Sequence, residues 1–308
     1  MRAVVFAYSN VGDRCLRVLR AQGVEVPLVV THRDQPGEKL WFERVADTAA
    51  ELGLPVIHGD DVHDPALARA VRASEPDVIF SFYFRSLIPV AVLSLAARGA
   101  FIMHGSLLPS FRGRAPTNWA VLKGATETGA TLHVMTERAD AGAIVDQQAV
   151  PVLPDDTGRQ VFDKVTVAAE QVLWRSLPAI VAGQLRFLPN DVERGSYFGA
   201  RRPEDGRIDW SKPAAEVYNL IRAVAPPYPG AFIEVAGRRL IVAKARLARA
   251  SRPGDADLRP GLHVVGDAVI GVCGDGAAIA VLELFDGVAA VSAATLRTLL
   301  QASNAPPP

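Results

Sequence analysis

The apolar positions along the chain fall into two kinds of pattern. Short, nearly unbroken runs at Ala3–Tyr8, Val26–Thr31, Pro55–His58, Asp77–Phe82 and Ala100–Met103 predict buried strands. Between them, apolar residues recur at helical spacing. Cys15, Leu16, Val18 and Leu19 form one stripe, with Asp13 as candidate N-cap and Gly23 as candidate C-cap glycine. Trp41–Leu52, ending at Gly53, and Pro65–Ala73 and Ile88–Ala97 read as further helices. Strands alternating with helices over short connections predict a parallel sheet covered on both faces, with right-handed crossovers. Ala130–Thr136 and Ile144–Pro151 add two later strands. Val161, Val165, Ala168, Val172 and Leu173 mark a long helix over Thr157–Ala182.

The pattern changes near 190–210, where FLPNDVERGSYFGARRPEDGRIDW is polar and rich in glycine and arginine, as a linker is. Ala214–Val224 reads as one more helix. Short runs then follow at Ala231–Val235, Arg239–Ala245, Ala268–Cys273 and Ala277–Leu284, separated by Gly and Asp turns. They predict a small, barrel-like β domain. Thr295–Ala302 reads as a terminal helix, and Asn304–Pro308 as a frayed tail. The expected organisation is a first domain over 1–203, its last part (190–203) a linker, and a second over 204–308.

Composition narrows the function. The 308 residues carry 33 Lys+Arg against 33 Asp+Glu, a formal net charge of +0. That balance argues against a broad basic field for nucleic acid. No run of about 18 apolar residues appears, so no membrane insertion is expected. The N-terminal MRAVVFAYSNVGDR turns polar too early for a signal peptide and reads as a first strand. The two cysteines, Cys15 and Cys273, are far apart and suggest a reducing, cytoplasmic setting.

Familiar motifs are missing. The first strand-to-helix turn, YSNVGDR, holds only Gly12, which disfavours a nicotinamide dehydrogenase. P-loop and nucleophile-elbow signatures are absent, and none of the six histidines sits in a metal-binding pattern. His104 stands out by its setting: it follows the Ala100–Met103 strand and opens the loop GSLLPSFRGRAP. Catalytic groups of open α/β sheets collect beyond strand carboxyl ends. Arg112 and Arg114 in that loop either meet anionic groups or are solvated surface arginines. Asp140, in TERADAGAIV, is either a plain turn residue or a partner that raises the pKa of His104.

HGSLLPSFRGRAPTNW together with TERADAGAIV resembles the folate-dependent formyltransferase family. The resemblance extends through VVFAYSNVG, THRDQPGEKLWF, PDVIFSFYFRSLI, SYFGARRPEDGRIDW and RAVAPPYPGAF, covering the chain to about residue 245. It implies an α/β fold, with a Rossmann-like parallel-sheet domain followed by a smaller OB-like β-barrel domain. In detail it is similar to members that formylate UDP-4-amino-4-deoxy-L-arabinose with N10-formyltetrahydrofolate, in lipid A modification and polymyxin resistance. It implies no metal.

The implied chemistry is attack of a sugar amine on the formyl carbon, giving a tetrahedral oxyanion, with folate N10 leaving as a protonated amine. His104 would manage the proton and Asp140 would hold it at a useful pKa. The family's oxyanion-stabilising asparagine falls at Ile102, in GAFIMHGS, where an aliphatic side chain donates nothing; Asn118 in PTNW is a substitute candidate. Folate contacts map to Ser86, Leu87 and Ile88, to Arg114, and to Thr136, Glu137, Arg138, Ala139 and Asp140. Tyr8, Ser9, Asn10 and Arg201 are the candidates for the UDP-aminosugar. Two other readings stand beside this one: a methionyl-tRNA formyltransferase, and a formyltransferase-like binding protein impaired by Ile102. A homo-oligomer and a decarboxylase, separate or beyond Pro308, are the candidate protein partners.

Overall fold

A computed structural model of the chain describes residues 1–34, 40–248 and 258–304. Residues 35–39, within the THRDQPGEKLWF segment, and tail residues 305–308 lie outside the described residues. The chain divides into two units. The first comprises Met1–Pro116, Glu127–Pro151 and Phe162–Gly199; the second comprises Thr117–Thr126, Val152–Val161 and Ala200–Pro308.

In chain order the elements are β1 (Arg2–Ala7), α1 (Ser9–Ala21), β2 (Glu25–Thr31), α2 (Val45–Glu51), β3 (Val56–His58), α3 (Pro65–Ala73), β4 (Val78–Phe82), α4 (Val90–Leu93), β5 (Ala100–His104), β6 (Arg112–Gly113), α5 (Pro116–Leu122), β7 (Glu127–Val134), β8 (Ile144–Pro151), α6 (Gly158–Ala182) and β9 (Tyr197–Phe198). Seven strands form the main sheet of the first unit, in the order β3-β2-β1-β4-β5-β7-β8. The first five strands pair in parallel, as the alternation of strands and helices predicts. β7 and β8 then join antiparallel. Strand order reverses beside β1, which makes the carboxyl ends of β1 and β4 the switch point of the sheet. Buried on both faces, these strands are nearly all apolar. Val4 and Phe6 pack with Leu28, Val30, Ile79 and Leu67 on one side.

Several expected elements differ. Asp13 does not cap α1, which begins at Ser9; its buried carboxylate accepts from Thr48 Oγ1 at 2.8 Å and Arg17 Nε at 2.7 Å. The helix expected over Trp41–Leu52 is confined to α2, because Trp41 and Phe42 pack as edge-to-face aromatics against Phe162 and Tyr8. The Ile88–Ala97 helix shrinks to one turn, α4. Within the expected linker, Tyr197 and Phe198 pair in parallel with Arg112 and Gly113 and belong to the first unit.

The second unit holds α7 (Ala214–Ala223), β10 (Ala231–Val235), β11 (Arg238–Leu247), β12 (Gly261–Val265), β13 (Ala268–Val272), β14 (Ala278–Phe285) and α8 (Ala293–Asn304). Its antiparallel sheet runs β10-β11-β14-β13-β12. β12 was not expected from the sequence, because its alternation is weak and Leu262 is its one fully buried residue. No helix among the described residues is long and apolar enough to cross a membrane.

Arg222, buried on α7, ties three segments of this unit together. Its guanidinium donates to the carbonyls of Asp156 at 3.0 Å, Leu153 at 3.4 Å and Val121 at 3.4 Å. Arg222→Met keeps the side-chain bulk but removes the charged donor, while the Val121 and Leu153 carbonyls keep the Gly124 and Asp156 N–H; a hydrogen bond to a charged group contributes about 1.5–3 kcal/mol. The expected result is a urea midpoint lowered to match; an unshifted midpoint would show that the guanidinium contributes nothing net.

Candidate active site

β5 ends on His104, and its register with β7 decides what surrounds that ring. Ile102 lies opposite His133, and His104 opposite Thr131. Directly opposed residues share a face, and so do residues two apart on one strand. Ile102, His104, Thr131 and His133 therefore project from one side of the sheet. Gly105 follows because a Cβ there would meet Tyr83 Oη at 1.8 Å. The loop beyond is pinned at several points. Thr131 Oγ1 donates to the Ser106 carbonyl at 2.6 Å, Ser106 Oγ to Ser110 at 2.6 Å, and Gln147 Nε2 to Leu108 at 2.9 Å.

Asp140 arrives from the turn between β7 and β8, with φ of 52°. Its backbone carbonyl accepts from Asn190 Nδ2 at 3.0 Å, and the same amide binds the Gly142 carbonyl. Gly142 is required there, since a Cβ would stand 1.9 Å from the Val134 oxygen. The carboxylate, 9% exposed, accepts the Gly113 N–H at 2.8 Å through Oδ2. Oδ1 lies 3.5 Å from His104 Nδ1 and 3.6 Å from His133 Nε2. The structure thus brings together His104 and Asp140, and adds two residues that sequence reasoning missed: His133 and Asn190. Asn190 sat in the expected linker, and His133 inside an apolar run that reads as plain strand.

The charges follow from burial and neighbours. Burial pushes the Asp140 carboxyl up, but the charge of His104, the His133 ring and the Gly113 N–H outweigh it, holding it well below the usual carboxylate range. For His104 the balance is the reverse. Burial pushes its pKa down, and Asp140 and the Phe111 carbonyl only partly restore it. The expected upward pull of Asp140 is present, yet the net shift is downward. A carbonyl only accepts, so the 2.9 Å contact with Phe111 places a proton on His104 Nε2. The pair is a buried acid–base device with a neutral imidazole.

The remaining predicted residues spread over several places. Arg112 is buried and donates to the Val192 carbonyl at 3.1 Å, so it is a brace for the loop rather than an anion receptor. Arg114 is exposed, and its Nη2 donates to the Arg85 carbonyl at 3.0 Å, bringing it to the loop that carries Ser86 and Leu87. Leu87 is 75% exposed, Ser86 is half-buried, and Ile88 packs in the core. Thr136 Oγ1 closes the turn onto the Arg138 carbonyl at 2.9 Å, with Glu137 and Arg138 exposed and Ala139 half-buried. Ile102 is half-buried on the His104 face. Tyr8, Ser9 and Asn10 lie at the switch point. The Tyr8 ring packs under the Arg85 guanidinium at 4.2 Å, and Asn10 Oδ1 accepts the Glu43 N–H at 2.7 Å. Tyr8, His32, Arg33, Asp34 and Arg44 line a cavity of about 280 Å³. Arg201 and Asn118 are in the second unit. Arg201 stacks on Trp119 and donates to the Asp205 carbonyl at 3.0 Å. Asn118 is buried and gives its amide to Ala223 at 2.7 Å, which engages the donor that an oxyanion would need.

A buried acid–base pair beyond the carboxyl end of a doubly wound strand defines an α/β enzyme. A family model for formyl transferase matches residues 1–177, and one for the formyl transferase C-terminal domain matches 201–298. The chain belongs to the formyl transferase family. Among solved structures, WlaRD, a sugar 3N-formyl transferase crystallised in the presence of dTDP and 5-N-formyl-THF, is 19% identical with a TM-score of 0.71, over 91% of this chain and 96% of that one. The N-formyltransferase from Helicobacter canadensis, solved with folinic acid and dTDP-3-aminofucose, is 18% identical with a TM-score of 0.70, over 91% and 98%. HypX from Aquifex aeolicus, in complex with tetrahydrofolic acid, is 19% identical with a TM-score of 0.64, over 99% of this chain and 48% of that one. All three share this fold.

The contact between Asp140 and His104 carries a direct expectation. In Asp140→Asn the negative charge that favours the imidazolium is gone, so His104 titrates at lower pH than in the unsubstituted protein. NMR titration of the imidazole reads this, and a midpoint that stays or rises would show the two groups to be uncoupled.

Proposed function

We propose that this protein transfers a formyl group from N10-formyltetrahydrofolate to the amine of a nucleotide-linked amino sugar. The finer reading is UDP-4-amino-4-deoxy-L-arabinose, the substrate of the formyltransferase domain of the bifunctional ArnA protein in lipid A modification. One observation carries the formyl-transfer reading: the buried His104 and Asp140, 3.5 Å apart at the end of β5, where the family chemistry needs a base. In the tautomer that turns its Nδ1 proton to Asp140, His104 Nε2 is free to accept a proton from an attacking amine, and the ionised Asp140 stabilises the imidazolium that results. His104 then returns the proton to the departing folate nitrogen. Ser86, Leu87, Ile88, Arg114 and Thr136 to Asp140 are proposed for the folate. The 3.0 Å bond from Arg114 to the Arg85 carbonyl supports grouping the first four. Tyr8, Ser9 and Asn10, at the switch point of the first unit, are proposed for the sugar nucleotide, and Arg201, in the second unit, is a separate candidate for it. A formal net charge of +0 favours a small nucleotide substrate over tRNA.

Supplying N10-formyltetrahydrofolate with UDP-4-amino-4-deoxy-L-arabinose and looking for the formylated product by mass spectrometry tests the reading directly. His104→Ala should lower turnover about a hundred- to ten-thousandfold while folate binding is retained. Unchanged turnover would remove His104 from the mechanism.

Ile102 favours the second reading, a formyltransferase whose chemistry is impaired. A preorganised donor aimed at an oxyanion is worth roughly a hundred- to a thousandfold in turnover, about 3 to 4 kcal/mol, and isoleucine provides none. Ile102→Asn is expected to raise kcat by something near that factor with little change in either dissociation constant, thermal stability being followed in parallel. Full family-like rates in the unsubstituted protein, with no gain in the variant, would show that another donor serves the oxyanion.

A further inference from the structure

His133 is buried more deeply than its neighbour across Asp140: its side chain is 2% exposed, against 7% for His104. Its Nδ1 lies 2.9 Å from the Val134 carbonyl. A carbonyl only accepts, so Nδ1 carries a proton. The other ring nitrogen, Nε2, is buried without a hydrogen-bond partner and faces Asp140 Oδ1 at 3.6 Å. His104 repeats this arrangement: Nε2–H is held by the Phe111 carbonyl, and Nδ1 is turned to the same oxygen at 3.5 Å. Each ring in its neutral form points a lone pair at a carboxylate. Each in its charged form points a proton there instead. The two ring centroids are 6.4 Å apart.

We infer that His133 is a positioning residue of the site, bracing the Asp140 carboxylate opposite His104 and coupling its own protonation to that of His104. One negative charge balances one imidazolium, so a proton on either ring lowers the affinity of the other. The other charged groups on these elements have partners of their own: Arg138, in the turn that carries Asp140, lies 3.9 Å from Glu193. Across the sheet His133 is opposed by Ile102 on β5 and Ile144 on β8. Asp146 on β8, opposite Leu132, is bound by Arg175 from α6. From the loop beyond β5, the Arg112 guanidinium is directed to the Val192 carbonyl and Gly113 offers only its N–H. The effect on turnover rests on the formyl-transfer reading; the coupling itself does not.

His133→Gln separates a positioning role from a merely structural one, because the amide can donate to Asp140 as the imidazolium would but cannot take up a proton. Imidazole NMR titration of this variant should show His104 moving up by about one pH unit. The acidic limb of the kcat profile should move with it, while KM for both substrates holds. A His104 midpoint that stays or falls overturns the inference. Should the variant fail to fold, the unsubstituted protein decides: coupled groups titrate with shared midpoints visible on both rings, and two independent single-step curves overturn it. Coupling without any formylated product would defeat the formyl-transfer reading alone, and product without coupling would defeat this one alone.

Discussion

The first unit is arranged around keeping one buried carboxylate charged. An ion moved from water into a protein interior loses several kcal/mol of solvation unless partners replace it. Asp140 finds one in the backbone N–H of Gly113, and an imidazole on each of two neighbouring strands becomes another when it takes up a proton. Holding the acid in that position demands an unusual backbone, with φ of 52° at Asp140. Asn190 secures that turn by binding the carbonyls on either side of Ala141. Gly142 allows the turn to lie directly on the Val134 carbonyl. The glycine, the asparagine and the strained aspartate are parts of one solution to a desolvation problem.

The sheet supplies the other half of that solution. Residues 105–126, with β6 and α5, separate β5 from β7, a connection long enough for a crossover that would make β7 parallel. The switch to antiparallel pairing at β7 brings the chain back alongside β5 instead. It sets His133 diagonally beside His104 and delivers Asp140 from the turn that follows. Thr131, opposite His104, fixes the start of the active loop through the Ser106 carbonyl. The loop then returns through Arg112 and Gly113, where pairing with Tyr197 and Phe198 aims the Gly113 N–H at the carboxylate.

The order of elements was legible where each carried its own local signal. Pro65–Ala73 could be read at both ends because Pro65 sits at the first helical position and Asp64 caps it, accepting from the Ala66 N–H at 2.8 Å. Trp41–Leu52 misled because its aromatic residues fit a helical stripe but are held in a cluster of rings around Tyr8. The antiparallel turn of the sheet was not legible, since periodicity reports burial and not direction. For the site, His104 and Asp140 emerged from motifs flanking strand ends. His133 did not, because only register reveals that a histidine inside an apolar strand faces an acid more than five residues away along the chain. Asn190 is fifty positions from Asp140, and nothing local ties the two.

Register also links Ile102, where the resemblance expects an asparagine, to one of the two residues that sequence reasoning missed. Ile102 and His133 are directly opposed cross-strand neighbours. On the formyl-transfer reading, an amide at 102 would stand beside the His133 ring and have to choose between the oxyanion and the histidine. An isoleucine makes no such demand. It contributes apolar surface on the His104 face, and a desolvated imidazole favours its neutral form. On that reading the side chain that offers no oxyanion donor also helps to keep the base unprotonated. Oxyanion stabilisation and the protonation of the base thus meet, on that reading, at one position, because the register of β5 and β7 sets Ile102 against His133 and two residues from His104.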